Sequence, residues 1–244
     1  IPRRSVRVTS NDQPVFIGFV DDFDIQYEPG VQSVVRIDAS DALSVLTNAG
    51  LEEFTPDSEL SGARINTVLD RPEIDWPEEL REIDPGNSLM LDADVAEGTG
   101  ALEYLQRVAN SEFGTFFLGK DGKIVFRERN AVPNTPDIVF SDEVVAGAYT
   151  GIQFADVNII YGSENLYNRI ALENADVFPE EAFAEDATSQ AVYGPRTLSQ
   201  TGLLIQEPEQ LQFLADFFLA RYKEPQYRFE TVTVVLDTLT TVNQ

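Results

Sequence analysis

Residues 91–129, LDADVAEGTGALEYLQRVANSEFGTFFLGKDGKIVFRER, constrain the fold more than any other stretch. Gly98 and Thr99 break the preceding chain, and Thr99 has the side chain to cap a helix by accepting from a first-turn N–H. Leu102, Leu105, Val108 and Ala109 then recur at helical spacing, with Glu103, Gln106 and Arg107 between them. Gly114 suits the left-handed or tight turn that ends such a helix. Apolar runs at 116–118 and 124–126 flank Lys120-Asp121-Gly122-Lys123, and Asp-Gly in that setting predicts a hairpin with a type I′ turn. A lone hairpin is marginal in water, so this one should pack on the apolar stripe of the helix before it. Nothing in the unit has a catalytic pattern.

The rest of the chain adds mostly β-structure. Val6 and Val8 open a strand, residues 10–14 read as a turn, and 15–27 form a long strand. In it Phe23, Ile25 and Tyr27 alternate with Asp22, Asp24 and Gln26, as in a half-buried strand, and Gly18 suits a bulge. Pro29-Gly30 turns the chain into a third strand at 31–39. Three strands are too few to close a barrel alone. Short helices are predicted at 42–48, capped by Ser40 or Asp41, and at 60–69, with Ile65, Val68 and Leu69 inward. Residues 70–84 read as a loop with one helical turn, pinned by Trp76, and 89–91 as a short strand.

Residues 130–136 look like a linker. Strands follow at 138–140, 149–161 and 168–172. The acidic stretch 173–185 reads as an exposed loop or short helix, and Tyr193-Gly194-Pro195 as a turn anchored by its tyrosine. Residues 208–223 are the longest helix, with Leu211, Leu214, Ala215, Phe218, Leu219 and Tyr222 on one side. A Thr/Val strand at 227–242 closes the chain.

Charge narrows the function. There are 17 Lys and Arg against 42 Asp and Glu, a net charge of −25. That repels nucleic-acid backbones and anionic lipid. With no Cys and no His, thiolate zinc, a Cys nucleophile and a Ser-His-Asp triad are ruled out. No apolar run reaches the ~20 residues of a membrane span. The chain begins at Ile1 without a signal-peptide pattern, which reads as processing or as a segment of a longer chain.

Candidate sites each have a plainer explanation. Asp21, Asp22 and Asp24 carry the oxygens a calcium ion takes, but strand neighbours point to opposite faces and no Asp-x-Asp-x-Asp-Gly loop is present. Asp92 and Asp94 read as one polar strand face. Carboxylate pairs for glycoside cleavage are available in number, but only their separation would identify them. Phe116-Phe117 and Phe217-Phe218 fit core packing better than a ligand pocket, and Trp76 fits a loop anchor better than a sugar platform. The expectation is no catalytic residue, no metal and no cofactor.

Four stretches taken in order resemble the tail hub, or minor tail, proteins of tailed bacteriophages. Pro14-Val15-Phe16-Ile17-Gly18-Phe19-Val20 and Ile37-Asp38-Ala39-Ser40-Asp41-Ala42-Leu43 are similar to the start and end of that family's first barrel. Gly100-Ala101-Leu102 to Ala109, with Gly114 and 121–126, is similar to its inserted α/β module. Ser189, Tyr193-Gly194, Arg196-Thr197-Leu198, the long helix, Arg221-Tyr222 and Pro225 are similar to the return to the second barrel.

The resemblance implies a β-rich α+β chain of tail-tube-like β-barrel domains with an inserted helix-plus-hairpin module. Residues 1–55 would be part of the first barrel-like domain, 56–135 the module, and 136–244 the second barrel-like domain with its long helix. It also implies a non-enzymatic virion protein at the tail tip, forming a ring, usually a trimer, that continues the tube. Its partners would be itself, the neighbouring tube and tip proteins, and phage DNA in transit, with no membrane insertion. Asp21, Asp22 and Asp24 are the candidate lumen-lining residues, since an acidic wall repels passing DNA. The family pattern extends before the first strand and after the last, so barrel closure within 1–244 stays open. A carbohydrate-binding or wall-hydrolysing tail module, and a free-standing acidic protein from a high-salt source, are the alternatives.

Overall fold

The computed structural model describes residues 4–27, 34–131, 138–143, 150–175 and 180–234. The Pro29-Gly30 turn, the first residues of the strand expected at 31–39, most of the 130–136 linker, Tyr149 and the closing strand beyond Val234 lie outside the described residues. The chain divides into two compact units. The first comprises residues 1–131, 173–180 and 201–210, and the second comprises 132–172, 181–200 and 211–244.

The first unit opens with an antiparallel sheet of β1 (Ser5–Ser10), β2 (Gln13–Gln26) and β3 (Val34–Asp41), with β2 in the middle. Asn11 and Asp12 make the β1–β2 connection with φ of 50° and 63°. Two consecutive positive-φ residues are the hallmark of a type I′ turn. A bulge between Val20 and Asp22 sets Asp21 outside the β2–β3 register.

The α/β module follows. It contains α1 (Leu43–Asn48), β4 (Gly50–Leu51), β5 (Glu59–Leu60), α2 (Ser61–Leu69), β6 (Arg81–Ile83), β7 (Leu89–Met90), β8 (Thr99–Gly100), α3 (Ala101–Glu112), β9 (Thr115–Leu118) and β10 (Ile124–Arg127). Leu46, Ile65, Val68, Leu69, Leu105, Val108, Ile124 and Phe126 are fully buried in one core, with Trp76 beside them. Trp76 is an anchor as expected, its indole N–H donating to Leu80 O across the single 3₁₀ turn Glu78–Leu80. Residues 201–210 belong to the same unit: Leu91 N donates to Leu204 O at 2.8 Å, and Gln206 N to Leu89 O at 2.9 Å.

Local chemistry departs from expectation at several places. Thr99 does not cap α3; its hydroxyl donates back to Ala96 O, and Gly100 holds the cap position without a side-chain bond. Likewise α1 is capped by neither Ser40 nor Asp41 but begins after Ala42, although an Asp41 oxygen accepts from Leu43 N. Phe113, not Gly114, takes the left-handed position after α3, at φ 55°. Gly114 N then donates to Ala109 O, closing a Schellman-type end. Gly114 is needed for another reason: a Cβ there would stand 2.3 Å from Arg127 O.

The β9–β10 loop is also not type I′. Among its residues only Gly122 has positive φ, and the bonds Gly122 N to Gly119 O and Gly119 N to Lys123 O fit a type I turn closed by a glycine bulge. The segment read as loop at 70–84 ends in β6, which pairs in parallel with β10 and turns the hairpin into a three-stranded sheet.

The second unit carries β11 (Ile138–Ser141), β12 (Thr150–Gly162), β13 (Arg169–Asn174), β14 (Glu181–Glu185), α4 (Ala187–Tyr193), β15 (Thr197–Leu203), α5 (Pro208–Tyr222) and β16 (Gln226–Val234), the ends of β13, β15 and α5 running into the first unit. Its sheets have the orders β11-β12-β16 and β14-β13-β15. The 173–185 stretch is therefore not an exposed loop where it is described. It includes β14, whose Ala182 and Ala184 alternate inward between exposed neighbours. Tyr193, expected to anchor its turn, is 40% exposed.

The chain is thus mixed α and β, rich in strand, but among the described residues no sheet exceeds three strands and no barrel closes. The expected barrels appear as open sheets, for the geometric reason that three strands cannot curl into a cylinder.

Candidate functional site

The two long open sheets are sided, and the register fixes the sides. In antiparallel pairing, opposed residues share a face. On β2–β3, Phe23 lies opposite Ile37 and Ile25 opposite Val35, while Val8 of β1 lies opposite Phe16 of β2 on that same side. These pairs carry no charge, and their side chains stand in solvent: Phe23 36%, Ile25 67%, Val35 52% and Ile37 52% exposed. Further along the same face Val20 is buried and Asp41 lies opposite Gly18.

The other face has two parts. Phe19 packs against the module core, and Ile17 approaches the Gly122 loop. Beyond the bulge the same face becomes acidic: Asp22 lies opposite Asp38 and Asp24 opposite Arg36. Like charges directly across a strand pair repel. Arg36 offsets this by pairing with Asp38 at 3.1 Å.

The candidate lumen residues therefore do not form one set. Asp22 and Asp24 share the acidic face, Asp22 accepting from Phe23 N at 2.7 Å. Asp21 sits in the bulge and accepts from Ser40 Oγ at 2.9 Å. Among the described residues no three acidic side chains converge as a metal site would require. Asp92 and Asp94 are exposed in irregular chain rather than on a strand.

The β12–β16 pair repeats the pattern. Phe154 lies opposite Val234, Val157 opposite Val232, Ile159 opposite Phe229 and Tyr161 opposite Tyr227. The tyrosine rings are 4.7 Å apart. Polar residues, Asn158 with Thr231 and Asp156 with Thr233, occupy the other face. The apolar face is exposed at Ile159 (51%), Tyr161 (59%), Tyr227 (77%) and Phe229 (71%). With Val139 and Phe140 of β11 it forms an apolar hollow of about 590 Å³.

A polar pocket of about 330 Å³ lies elsewhere in the second unit, lined by Asp186, Thr188, Ser189, Val192, Tyr193, Lys223 and Glu224. It holds the pair a Ser–Lys nucleophile would need, but both groups are engaged. Ser189 Oγ donates to Lys223 O at 2.5 Å, and Lys223 Nζ is 2.9 Å from Asp186 Oδ2. The hydrogen bond from Lys223 holds the Asp186 carboxyl below its usual range, with help from Ser189 N, and the same bond raises Lys223. Beneath lies Asn168, fully buried, whose amide donates to Ser189 Oγ and Gly194 O while its Oδ1 accepts from Arg196 N. This is a clamp joining three chain segments.

The aromatic pairs divide. Phe116 packs against the core but Phe117 is 45% exposed, and Phe217 is 46% exposed in a stacked pair with Phe213. Core packing thus describes only half of what was expected of Phe116-Phe117, and Phe217 is a surface ring. Among the described residues no helix is long and apolar enough to cross a membrane.

No family model matches the chain, and no curated protein does. Solved structures do. The tail protein from Neisseria meningitidis MC58 aligns with TM-score 0.57 at 15% identity, over 90% of this chain and 64% of that one. The 43 kDa tail protein of prophage MuSo2 from Shewanella oneidensis aligns with TM-score 0.53 at 14% identity, over 92% of this chain and 66% of that one. The chain spans just under two thirds of the length of either structure. What it has in common with these phage and bacterial tail proteins is the fold.

Proposed function

We propose that the chain is a structural, non-enzymatic subunit of a phage tail, placed at the tail tip as a hub. In this reading several copies, three by the family pattern, form a ring that continues the tail tube. Residues 1–55 and 136–244 contribute its barrel-like walls, and the module 56–135 projects from them. The ring binds tube and tip proteins, and DNA passes through it. Asp22 and Asp24 face that lumen, with Asp21 at its margin, so the wall repels the passing polyanion.

The observation that carries the reading is the fold shared with solved tail proteins over nine tenths of this chain. The two open sheets agree with it, because a wall completed by neighbours leaves each subunit's sheets unfinished. Immunogold electron microscopy of virions, with antibody raised to this chain, tests it. Label is expected at the tail tip. Label confined to the host cell, or to the capsid, overturns the tail reading, and label along the whole tube overturns the hub.

A further inference from the structure

We infer that the polar pocket of the second unit binds a neutral saccharide, one pyranose ring seated between Tyr193 and the Asp186–Lys223 pair. The tail-tip reading above supplies only where such a sugar is met, on the surface of a host cell. The site itself stands on its own residues. The pocket holds about 330 Å³, within the range of small-ligand sites, and its lining belongs wholly to one unit. Its walls are fixed before any ligand arrives. Asn168, 0% exposed, bonds to Ser189, Gly194 and Arg196, and Ser189 Oγ donates to Lys223 O. A preorganised site loses less to ordering when it binds.

The clamp leaves polar groups over. Lys223 Nζ carries three donors and directs one at Asp186. Each Asp186 oxygen has accepted one of these bonds and keeps a further lone pair. The Thr188 and Tyr193 hydroxyls make no hydrogen bond among the described residues, and Glu224 acts on Lys223 through its charge. Acceptors and donors side by side match neighbouring sugar hydroxyls, each of which both donates and accepts. The bond between Asp186 and Lys223 lowers the one pKa and raises the other. Both groups therefore stay charged at neutral pH, and hydrogen bonds to charged groups are the strong ones. Tyr193 adds an apolar ring with a polar tip, and Val192 beside it in the chain is 67% exposed. A pyranose has C–H groups for these and hydroxyls for the rest.

Charge selects against other ligands. An anion meets two carboxylates, Asp186 and Glu224, against one ammonium. A cation has to displace Lys223 from Asp186. An apolar molecule strips water from the unused donors and acceptors and returns no hydrogen bond. A neutral polyhydroxyl ring avoids all three costs.

Saturation-transfer NMR on the full chain tests the site. The probes are methyl glycosides of glucose, galactose, mannose, N-acetylglucosamine and N-acetylgalactosamine. At least one is expected to bind, with Kd on the order of 1 mM. Tyr193→Ala and Lys223→Gln should each weaken it about tenfold or more. Phe217→Ala removes an exposed ring of the same unit outside the pocket and should leave binding unchanged. Circular dichroism checks the fold, and Tyr193→Ala lies outside the clamp, so it decides the matter even if Lys223→Gln unfolds.

The inference is overturned if no glycoside binds at about 50 mM. It is overturned equally if folded Tyr193→Ala or Lys223→Gln binds as the unaltered chain does, or if Phe217→Ala abolishes binding. Tyr193-dependent binding of inorganic phosphate, guanidinium or a dipeptide amide, with no glycoside bound, overturns the ligand class. The tail reading fails separately: glycoside binding with gold label away from the tail keeps the site and removes its host-surface setting. Label at the tail tip without glycoside binding keeps the tail reading and removes the site.

Discussion

Helix α3 and strands β2–β3 have the same kind of sequence and opposite fates. In α3 the apolar residues recur at helical spacing, and Ala101, Tyr104, Leu105, Val108 and Ala109 are at most 4% exposed. In β2–β3 they recur at strand spacing, and Phe23, Ile25, Val35 and Ile37 are 36–67% exposed. Periodicity assigns a residue to a face. It does not say whether the surface covering that face belongs to the same chain. The module supplies the cover for its own apolar face, whereas the apolar pairs Phe23–Ile37 and Ile25–Val35 of the open sheet stand in solvent.

The sharpest way to break the comparison is through the module's buried charge. Glu112 closes α3 at 0% exposure. Its Oε2 accepts from Ser61 Oγ at 2.9 Å, Asn87 N at 3.1 Å and Ser88 N at 2.7 Å. Its Oε1 lies 3.1 Å from Arg129 Nη1, an ionic contact without hydrogen-bond geometry. Glu112→Ala strands the Ser61, Asn87 and Ser88 donors and takes the carboxylate from Arg129, which keeps its bonds to Ser88 Oγ and Glu112 O; removing one partner of a buried ion pair costs about 3–5 kcal/mol. Urea unfolding of the monomer should show that loss. A change under about 0.5 kcal/mol, the size of an ordinary surface substitution, would mean the module is no more self-contained than the sheets.

A matched pair of truncations sharpens it further. Leu105 is 0% exposed, so Leu105→Ala should cost about 2–5 kcal/mol through lost transfer and cavity terms. Ile25 is 67% exposed, so Ile25→Ala should change monomer stability by no more than about 0.5 kcal/mol. Thermal melting at a concentration below assembly separates them. Equal shifts in Tm would show that the β2–β3 face is already covered within one chain.

What the sequence disclosed follows from the range over which each signal acts. Helices α1, α2, α3 and α5 and the strands β2, β3 and β12 rest on local periodicity and appear within a residue or two of their expected spans wherever those are described. The hairpin at residues 115–127 is where Asp-Gly put it, but with a different turn, while Asn11-Asp12 took the type I′ geometry. Both loops offer residues tolerant of positive φ, and the choice between them lies in the strands' register. β6 was hidden because Arg81-Glu82-Ile83 is too short to show alternation and is a strand only by its pairing with β10.

The polar side chains that matter most were invisible for a related reason. Arg64, Glu112 and Asn168 look like ordinary surface residues in sequence. Arg64 is fully buried because Glu59, Tyr104 and two carbonyls, of Asp57 and Leu91, converge on it from four places in the chain. Of the candidate site, the acidic character of Asp22 and Asp24 was legible. The bulge that sets Asp21 apart and the exposure of the face behind them were not, since both depend on how β2 meets β3.

The smallest expected effect concerns the clamp in the second unit. Asp186 has two roles there: its Oδ1 caps α4 by accepting from Ser189 N, and its Oδ2 holds Lys223. Asp186→Asn keeps a good capping residue and removes the charge, so it isolates the ion pair. The bond to Lys223, then that to Ser189 N, lowers the Asp186 pKa. A lowered carboxylate pKa contributes stability that is full above the unfolded value of about 3.9 and is lost as pH falls through the folded value. Lys223 is raised, first by the same bond and then by the charges of Asp186 and Glu224. Its contribution is full below about 10.4 and is lost as pH rises through the folded value. The stability gap between the unaltered chain and the Asn variant should therefore be flat from about pH 5 to about pH 9 and close as pH falls below the unfolded value of about 3.9. Both groups are partly open to solvent, so the gap should be small and should shrink in salt. Denaturant titrations across that range measure it. A gap that widens on acidification would mean that the Asp186 pKa is raised in the folded chain, and the clamp would then be held by its neutral hydrogen bonds through Asn168.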